Sequence, residues 1–440
     1  MKFYVRRLGC PKNDVDADYI TARLVAEGHQ PVDRPEDAES VIVNTCGFIL
    51  LAKEESISEI FELSRLKQNG SVKYLYASGC LSQRYGSDLA KEIPELDGVF
   101  GVGELDAICN SMRNAKGDAG VFRTEAERMR YIAGNSRFIS DDLPYAYIKI
   151  SDGCDRTCSF CAIPSIRGHY RSRPIESILN EARFLVEKGK KELILVSQES
   201  TLYGCDLKEG IGLLDLLKEL DAVEGIHWIR LLYLYPSQVS EALIDYMGSP
   251  DNKTLNYFDI PLQHINNDVL DAMGRHTSRA QIEILLKDIR YKNPGAAIRT
   301  AFIVGFPGET EKHFEELREF VADFQFDRMG VFSYSAEEGT PAEGLGGQVD
   351  EQTKQDRLDE LMSVQSEIAF EKNKTLIGNI KDVIIDAVSE GRAVGRTASD
   401  CPEIDQEVYV TGGGVRPGEI VAVRIDAADG YDLIGTIVKG

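Results

Sequence analysis

No stretch of this chain approaches the roughly 20 consecutive apolar residues that a membrane-spanning helix needs. The opening MKFYVRRLGCPKND turns polar at Cys10 without the apolar segment of a secretory leader. Both absences point to a cytoplasmic protein with no membrane partner. Basic charge is scarce too: 50 Lys and Arg face 72 Asp and Glu, a net −22 over 440 residues. Such a surface repels phosphate backbones, so nucleic acid is a poor expectation as substrate and a basic protein a better one. The 15 prolines are few and 43% of residues are hydrophobic, which excludes disordered and collagen-like chains. The nine cysteines are an odd number. In a reducing compartment they make no disulfide framework, and metal or redox chemistry moves forward instead.

What is present is organised in three stretches, as a length beyond one hydrophobic core requires. Residues 1–118 alternate short β-rich runs (KFYVRRL, VIVN, VKYLYAS, GVFGV) with helical patterns near 15–28, 49–68, 82–92 and 104–115, the signature of an α/β domain with a parallel sheet. The weakly periodic stretch 116–138 reads as a connector. A second alternation, taken as the domain 136–367, has six strand-like runs at 145–150, 193–197, 229–235, 257–261, 298–305 and 328–335. Six βα units suit a partial (βα)6 barrel, TIM-like in its right-handed crossovers, closed by a helix over 351–377. Residues 368–440 change to short strands (KDVIIDAV, QEVYVTGGGV, EIVAVRI, LIGTIVK), which predict a small all-β barrel with a hairpin turn at Gly412–Gly414.

The strongest chemical signal is Cys154-x3-Cys158-x2-Cys161 in ISDGCDRTCSFCAIP, directly after the first strand of the central unit. Three thiolates on one tight loop can hold three irons of a 4Fe-4S cluster and leave the fourth iron open to a ligand. Zinc bound by the same three cysteines and His169 is the alternative. At this loop the chain resembles the radical S-adenosylmethionine (SAM) family. The resemblance implies that the open iron chelates the amino and carboxylate groups of S-adenosyl-L-methionine, and that one electron cleaves this cofactor to a deoxyadenosyl radical. Such chemistry answers a physical need, because an unactivated C–H bond is too weakly acidic for any side-chain base.

A second signal is independent of the first. Cys10, Cys46 and Cys80 are far apart in sequence, yet each lies just past a predicted strand: KFYVRRLGC, VIVNTC and YLYASGC. In a parallel sheet those ends share one edge, where α/β proteins bind ligands, so the three thiols can converge on a second cluster. Taken singly, each is also an ordinary buried small residue. With both cysteine sets and the terminal β unit, nearly the whole chain resembles the methylthiotransferases, whose closing β-barrel is called TRAM. That likeness implies an auxiliary 4Fe-4S cluster on Cys10, Cys46 and Cys80 that carries or supplies sulfur. It implies a radical-generating cluster on Cys154, Cys158 and Cys161, fed by an electron donor such as flavodoxin or ferredoxin. The runs LGCPKNDVDADYI, SDGCDRTCSFCAIPSIRGHYRSRP, LVSQESTLYG and GRTASDCPEID resemble the branch that places a methylthio group on the β-carbon of an aspartate in ribosomal protein S twelve.

Charge supports that branch over its sister, which modifies tRNA adenosines. Residues 371–440 carry 8 Lys and Arg against 12 Asp and Glu, a net −4 that would steer a basic ribosomal protein in and RNA away. A two-cluster electron-transfer protein is the reading from another class, and it predicts fully ligated clusters where this chain offers three cysteines per site.

Supporting residues follow from position. Gln198 and Glu199, after the second barrel strand, stand where the SAM family holds the amino group of the cofactor's methionine; a solvated polar pair is the alternative. Arg299 on the fifth strand could grip the cofactor carboxylate or form a structural ion pair. Gly305 and Gly308 in IVGFPGET would let backbone approach the cofactor, or serve a turn before a helix opened by Glu309. His264, at a barrel mouth, could touch substrate but reads first as a hydrogen-bonded structural histidine, and Cys109, Cys205 and Cys401 read as incidental.

Overall fold

The structure is a computed structural model that describes residues 1–114, 120–126, 129, 137–207, 210–389 and 392–438. Much of the connector at 116–138 therefore lies outside the described residues. The first unit runs β1 (Lys2–Arg7), α1 (Pro11–Ala26), β2 (Gln30–Pro31), β3 (Ser40–Thr45), α2 (Leu50–Gln68), β4 (Tyr74–Gly79), α3 (Cys80–Glu92), β5 (Gly98–Phe100), α4 (Leu105–Asn114) and β6 (Gly120–Phe122). Its six strands are all parallel, in the order β2-β1-β3-β4-β5-β6. Strand β6 falls inside the stretch read as connector, and β2 is only two residues long. Elements that short carry no periodicity to read.

The central unit follows: β7 (Tyr145–Lys149), a two-residue ladder β8 (Ser151–Asp152) with β9 (Arg171–Ser172) around α5 (Ile163–Arg167), then α6 (Ile175–Glu187), β10 (Glu192–Val196), α7 (Leu213–Asp221) and β11 (Trp228–Leu231). It continues with α8 (Glu241–Gly248), β12 (Tyr257–Asp259), α9 (Asn267–Ala272), α10 (Arg279–Lys292), β13 (Ala297–Val304), α11 (Glu311–Phe324), β14 (Arg328–Ser333) and α12 (Glu351–Leu376). Six parallel strands lie in sequence order, β7-β10-β11 and β12-β13-β14. The two triplets are joined by a parallel bridge from Ile229 to Thr254 and by Leu234 N–H donating to the Asp259 carbonyl at 2.9 Å. This is the partial (βα)6 barrel expected. The 367/368 limit drawn from sequence falls inside α12, which runs unbroken to Leu376.

Side-chain alternation sets what the barrel holds. On β7 and β10 the residues Ala146, Ile148, Leu193 and Leu195 pack outward against helices, while Tyr145, Tyr147, Ile194 and Val196 point inward. The inward layer packs with Val15 and Tyr19 from α1 and with Cys401 from the terminal unit. All three units thus meet in one apolar cluster.

The terminal unit is a closed barrel, β15 (Ile380–Ser389), β16 (Arg392–Thr397), β17 (Val408–Thr411), β18 (Ile420–Asp429) and β19 (Asp432–Ile437), ordered β15-β16-β17-β19-β18. Bulges at Ile385/Ala387 and Ile425/Ala427 give the curvature that closure needs. Two sequence expectations change here. Strand β16 was not among the four expected, and Gly412–Gly414 does not form a hairpin. Strand β17 pairs with β16 and β19, so the glycines carry the chain across to β18, with φ of 103° at Gly412 and 98° at Gly414.

Candidate active site

The parallel register of β1, β3 and β4 brings the first thiol set together. Arg7 lies opposite Asn44, and Thr45 opposite Gly79. Cys46 and Cys80 are therefore the next residues on neighbouring strands, with Cys10 at the N-cap of α1 beside them. Glycines make the approach possible. A β-carbon at Gly9, whose φ is +92°, would stand 2.6 Å from the Cys46 Cβ and 2.9 Å from its Sγ. One at Gly47 would lie 2.7 Å from the Leu81 backbone. Asn13 staples the edge, its amide donating to the carbonyls of Leu8 (2.9 Å) and Thr45 (3.0 Å). Burial pushes the Cys80 thiol up to about 12 and raises that of Cys46 as well. Thiols so placed ionise only against a compensating cation.

The second set sits on the loop after β8, at the carboxyl ends of the barrel strands. Cys154 N–H donates to the Gly168 carbonyl at 3.1 Å, and Cys161 N–H to the Cys158 carbonyl at 3.1 Å, which folds the loop into a tight turn. Burial raises Cys154 to about 11 and Cys161 to about 12. Arg275 donates to the Cys158 sulfur at 3.7 Å, and the Arg275 and Arg156 guanidiniums lie 4.1 and 3.9 Å from the Tyr235 ring centre. His169, the fourth ligand of the zinc alternative, is exposed and bonded to Asp155 at 2.8 Å. Among the described residues no three His, Cys, Asp or Glu side chains close on a single metal position. A four-iron cube spreads its thiolates over separate irons and does not require them to.

Several polar atoms around this mouth are buried with no hydrogen-bond partner among the described residues: Gln198 Oε1, Arg156 Nη2 and the Tyr235 hydroxyl. Orphaned atoms of this kind beside three thiols suit a polar ligand that accepts and donates here. The cysteine loop and its surroundings fit a 4Fe-4S cluster and its SAM.

What joins the two sets was not visible in sequence. Arg167, on α5 beyond the second trio, is almost fully buried and donates to Asn13 (2.7 Å), Asp16 (3.0 Å) and Asp152 (3.1 Å). Lys149 pairs with Asp16 and, at 3.0 Å, with Asp152. Asp152 also accepts from Gln198 Nε2 at 3.2 Å. Arg137 ties Asp18 of α1 to Glu181 of α6. These buried charges weld the first unit over the barrel mouth, and Cys80 of the first set packs with Ala162 and Ile166, just after Cys161 of the second.

The remaining sequence candidates separate. Gln198 and Glu199 stand at the mouth, with Glu199 engaged by Arg156 and Thr201. Arg299 does not face the mouth: its guanidinium pairs with Asp259 at 3.0 Å and Asp405 of the terminal unit at 3.4 Å, which is the structural alternative. Gly305 has φ +72°, and the space above it is filled by Lys354 of α12, 2.2 Å from a would-be Cβ. The close approach there is to a helix. Glu309 turns back onto Gly305 N at 2.9 Å. His264 is wholly buried, accepts from Asn266 N at 3.0 Å and is pushed down to about 3 by burial, as a structural neutral histidine.

Comparison with known proteins agrees with this geometry. Residues 148–321 match the radical SAM superfamily, residues 2–101 the uncharacterized protein family UPF0004, and residues 377–438 the TRAM domain. The chain is 42% identical over 444 residues to the ribosomal protein uS12 methylthiotransferase RimO of Trichlorobacter lovleyi, covering 98% of this chain and 97% of that protein. The chain belongs to the RimO family. The RimO proteins of Desulforamulus reducens (44% identity, 98% of each chain) and Fervidobacterium nodosum (42%, 100% and 99%) align as completely. RimO-family membership brings with it radical SAM chemistry, hence S-adenosyl-L-methionine and 4Fe-4S iron. In fold, the chain is similar to the radical SAM methyltransferase TsrM of Kitasatospora setae, with TM-score 0.55 and 16% identity over 75% of this chain and 72% of that one.

Proposed function

We propose that this chain transfers a methylthio group to the β-carbon of an aspartate in ribosomal protein uS12, the substrate that its relatives' names carry. Cys154, Cys158 and Cys161 hold the radical-generating cluster, and Cys10, Cys46 and Cys80 hold an auxiliary one. The observation that supports the reading is the buried link between the two cysteine regions: Arg167 bonds Asn13 and Asp16 of α1 and Asp152 before the second trio, and Cys80 packs with Ala162 and Ile166. When bound, the clusters and SAM supply one-electron cleavage, a methyl group and sulfur, none of which a side chain can provide.

The chain's own residues orient and enclose. Gln198 and Arg156 offer SAM an acceptor and a donor, while Glu199 fixes Arg156 over Tyr235. Burial of the mouth keeps water from a reactive intermediate. An electron donor of the flavodoxin or ferredoxin type completes the cycle.

The terminal barrel favours a protein over tRNA. Arg396, one of its few basic residues, is buried and bonded to Asp386 and Glu192, and Arg424 is paired with Asp426. What remains outside is net acidic. Peptide mass spectrometry of uS12 from cells with and without the gene tests the reading. The expected result is a gene-dependent replacement of one hydrogen by SCH3 on an aspartate. An unmodified peptide in both strains, with expression confirmed, refutes it and moves attention to the tRNA nucleosides.

A further inference from the structure

Lys12, in the first turn of α1, is 8% exposed. Its Nζ enters the barrel mouth, 3.3 Å from the carbonyl oxygen of Ser197 at the carboxyl end of β10 and 3.7 Å from the centre of the Tyr233 ring beyond β11. Among the described residues no carboxylate pairs with it. Most neighbouring cations have one: Arg167 and Lys149 share Asp16 and Asp152, Arg156 has Glu199, and Arg137 has Asp18 and Glu181, while buried Arg275 donates to the Cys158 sulfur and the Pro261 carbonyl. An ammonium taken from water with a carbonyl, the Tyr233 side chain and the Cys10 sulfur around it but no carboxylate is costly, and folds keep such a group where a counter-charge arrives.

The support beneath it is strained, as at functional sites. Tyr233 has a left-handed φ of +62°, rare for an aromatic residue. It is held there by its N–H to Asp259 at 2.9 Å and by its carbonyl, which accepts from Ser200 N at 3.0 Å. Lys12 comes two residues after Cys10 and reaches Ser197, beside Gln198, so it stands between the auxiliary thiols and the mouth where SAM is expected.

We infer that Lys12 is a substrate-binding residue whose ammonium takes the side-chain carboxylate of the target aspartate, fixing the β-carbon between the two thiol sets. This rests on the uS12 reading and deepens it. A carboxylate at this place could also come from the methionine part of SAM. The target aspartate is the better occupant, because in the radical SAM reading the SAM carboxylate is claimed by the open iron, whereas an aspartate substrate otherwise brings a second, unmatched charge into a buried cleft. A cation here favours aspartate over asparagine, which has nearly the same shape but no charge.

The test uses the reconstituted two-cluster holoenzyme with intact uS12 and with uS12 carrying asparagine at the target position. Binding constants and kcat/KM are measured for wild type, Lys12→Met and Lys12→Arg, and SAM binding is titrated in parallel. Wild type is expected to favour the aspartate form. In Lys12→Met the affinity for that form should fall by about tenfold to a hundredfold, the worth of a lost charge-assisted hydrogen bond, and the aspartate/asparagine preference should collapse. Lys12→Arg should keep most of the preference, and SAM affinity should hold. Unchanged discrimination in Lys12→Met overturns the inference, as does a loss confined to SAM binding. A loss equal on both substrates with a shifted cluster potential also overturns it, since Lys12 would then only balance cluster charge. If wild type binds neither form of uS12, the uS12 reading falls with it.

Discussion

Arg396→Met is the most informative single change in the scaffold, because Arg396 spans two units through three carboxylate contacts. Its guanidinium grips Asp386 with Nε at 2.6 Å and Nη2 at 2.9 Å, and reaches Glu192, at the base of β10, with Nη1 at 2.8 Å. The side chain is 3% exposed and Glu192 is fully buried. Removing it does not strand the two acids equally. Glu192 keeps Arg230 at 2.7 Å, and despite its burial Arg230 and Arg396 together hold it below the usual carboxylate range. Asp386 has no second cation within bonding distance among the described residues, and burial already raises it against the pull of Arg396.

The cost should therefore be that of a buried pair broken on one side, about 3–5 kcal/mol, and should sit mainly on Asp386. Hydrogen exchange of the intact holoenzyme reads this locally, as the opening free energy of amides in β15–β19. The double change Arg396→Met with Asp386→Asn should recover at least about 1 kcal/mol by removing the stranded charge. A loss below about 1 kcal/mol, or no recovery in the double variant, would refute the argument that this ion cluster locks the terminal barrel to the base of the central one.

Other expectations are sharper in chemistry than in energy. Gly9→Ala puts a methyl into the Cys46 side chain, so iron content of reconstituted protein should drop by about half while SAM cleavage persists; full iron loading would count against the auxiliary site. Cys154→Ala should abolish SAM cleavage, whereas Cys46→Ala should spare it and stop sulfur insertion, both read by deoxyadenosine and peptide mass. Asp14 is pushed up to about 6 by burial, with Glu403 and Asp18 adding to the effect and Arg7 opposing it. Its folded pKa lies above the unfolded one, so the folded state takes up the proton first and stability declines as pH rises from about 4 through 6. Asp14→Asn should stabilise by about 1 kcal/mol at pH 7.5, after allowance for partial exposure, and the gain should shrink toward pH 5 in thermal melts. A gain independent of pH would contradict it.

Much of this protein was legible because its signals are local. Strand–helix alternation, period-2 faces such as Tyr145/Tyr147 against Ala146/Ile148, and cysteines one residue past a strand end all follow from neighbouring residues, and a parallel sheet turns them into one edge. The illegible parts depend on partners distant in sequence. Strand β16, RAVGRT, did not read as a strand because its Arg396 points inward to an acid two hundred residues away. Sequence leaves Arg299 open between gripping a ligand and a structural ion pair until Asp405 arrives from the terminal unit, and nothing around Arg167 in sequence announces its bonds to Asn13 and Asp16. Sequence by itself determined the three units, the two thiol sets and the place of each on its own sheet, since backbone pairing and side-chain alternation act over a few residues. Only the tertiary structure decided that Arg167 joins the two cysteine regions and that Lys12 enters the barrel mouth with no carboxylate partner among the described residues, because a buried charge is balanced by whatever the fold brings within a few ångströms, however far along the chain it lies.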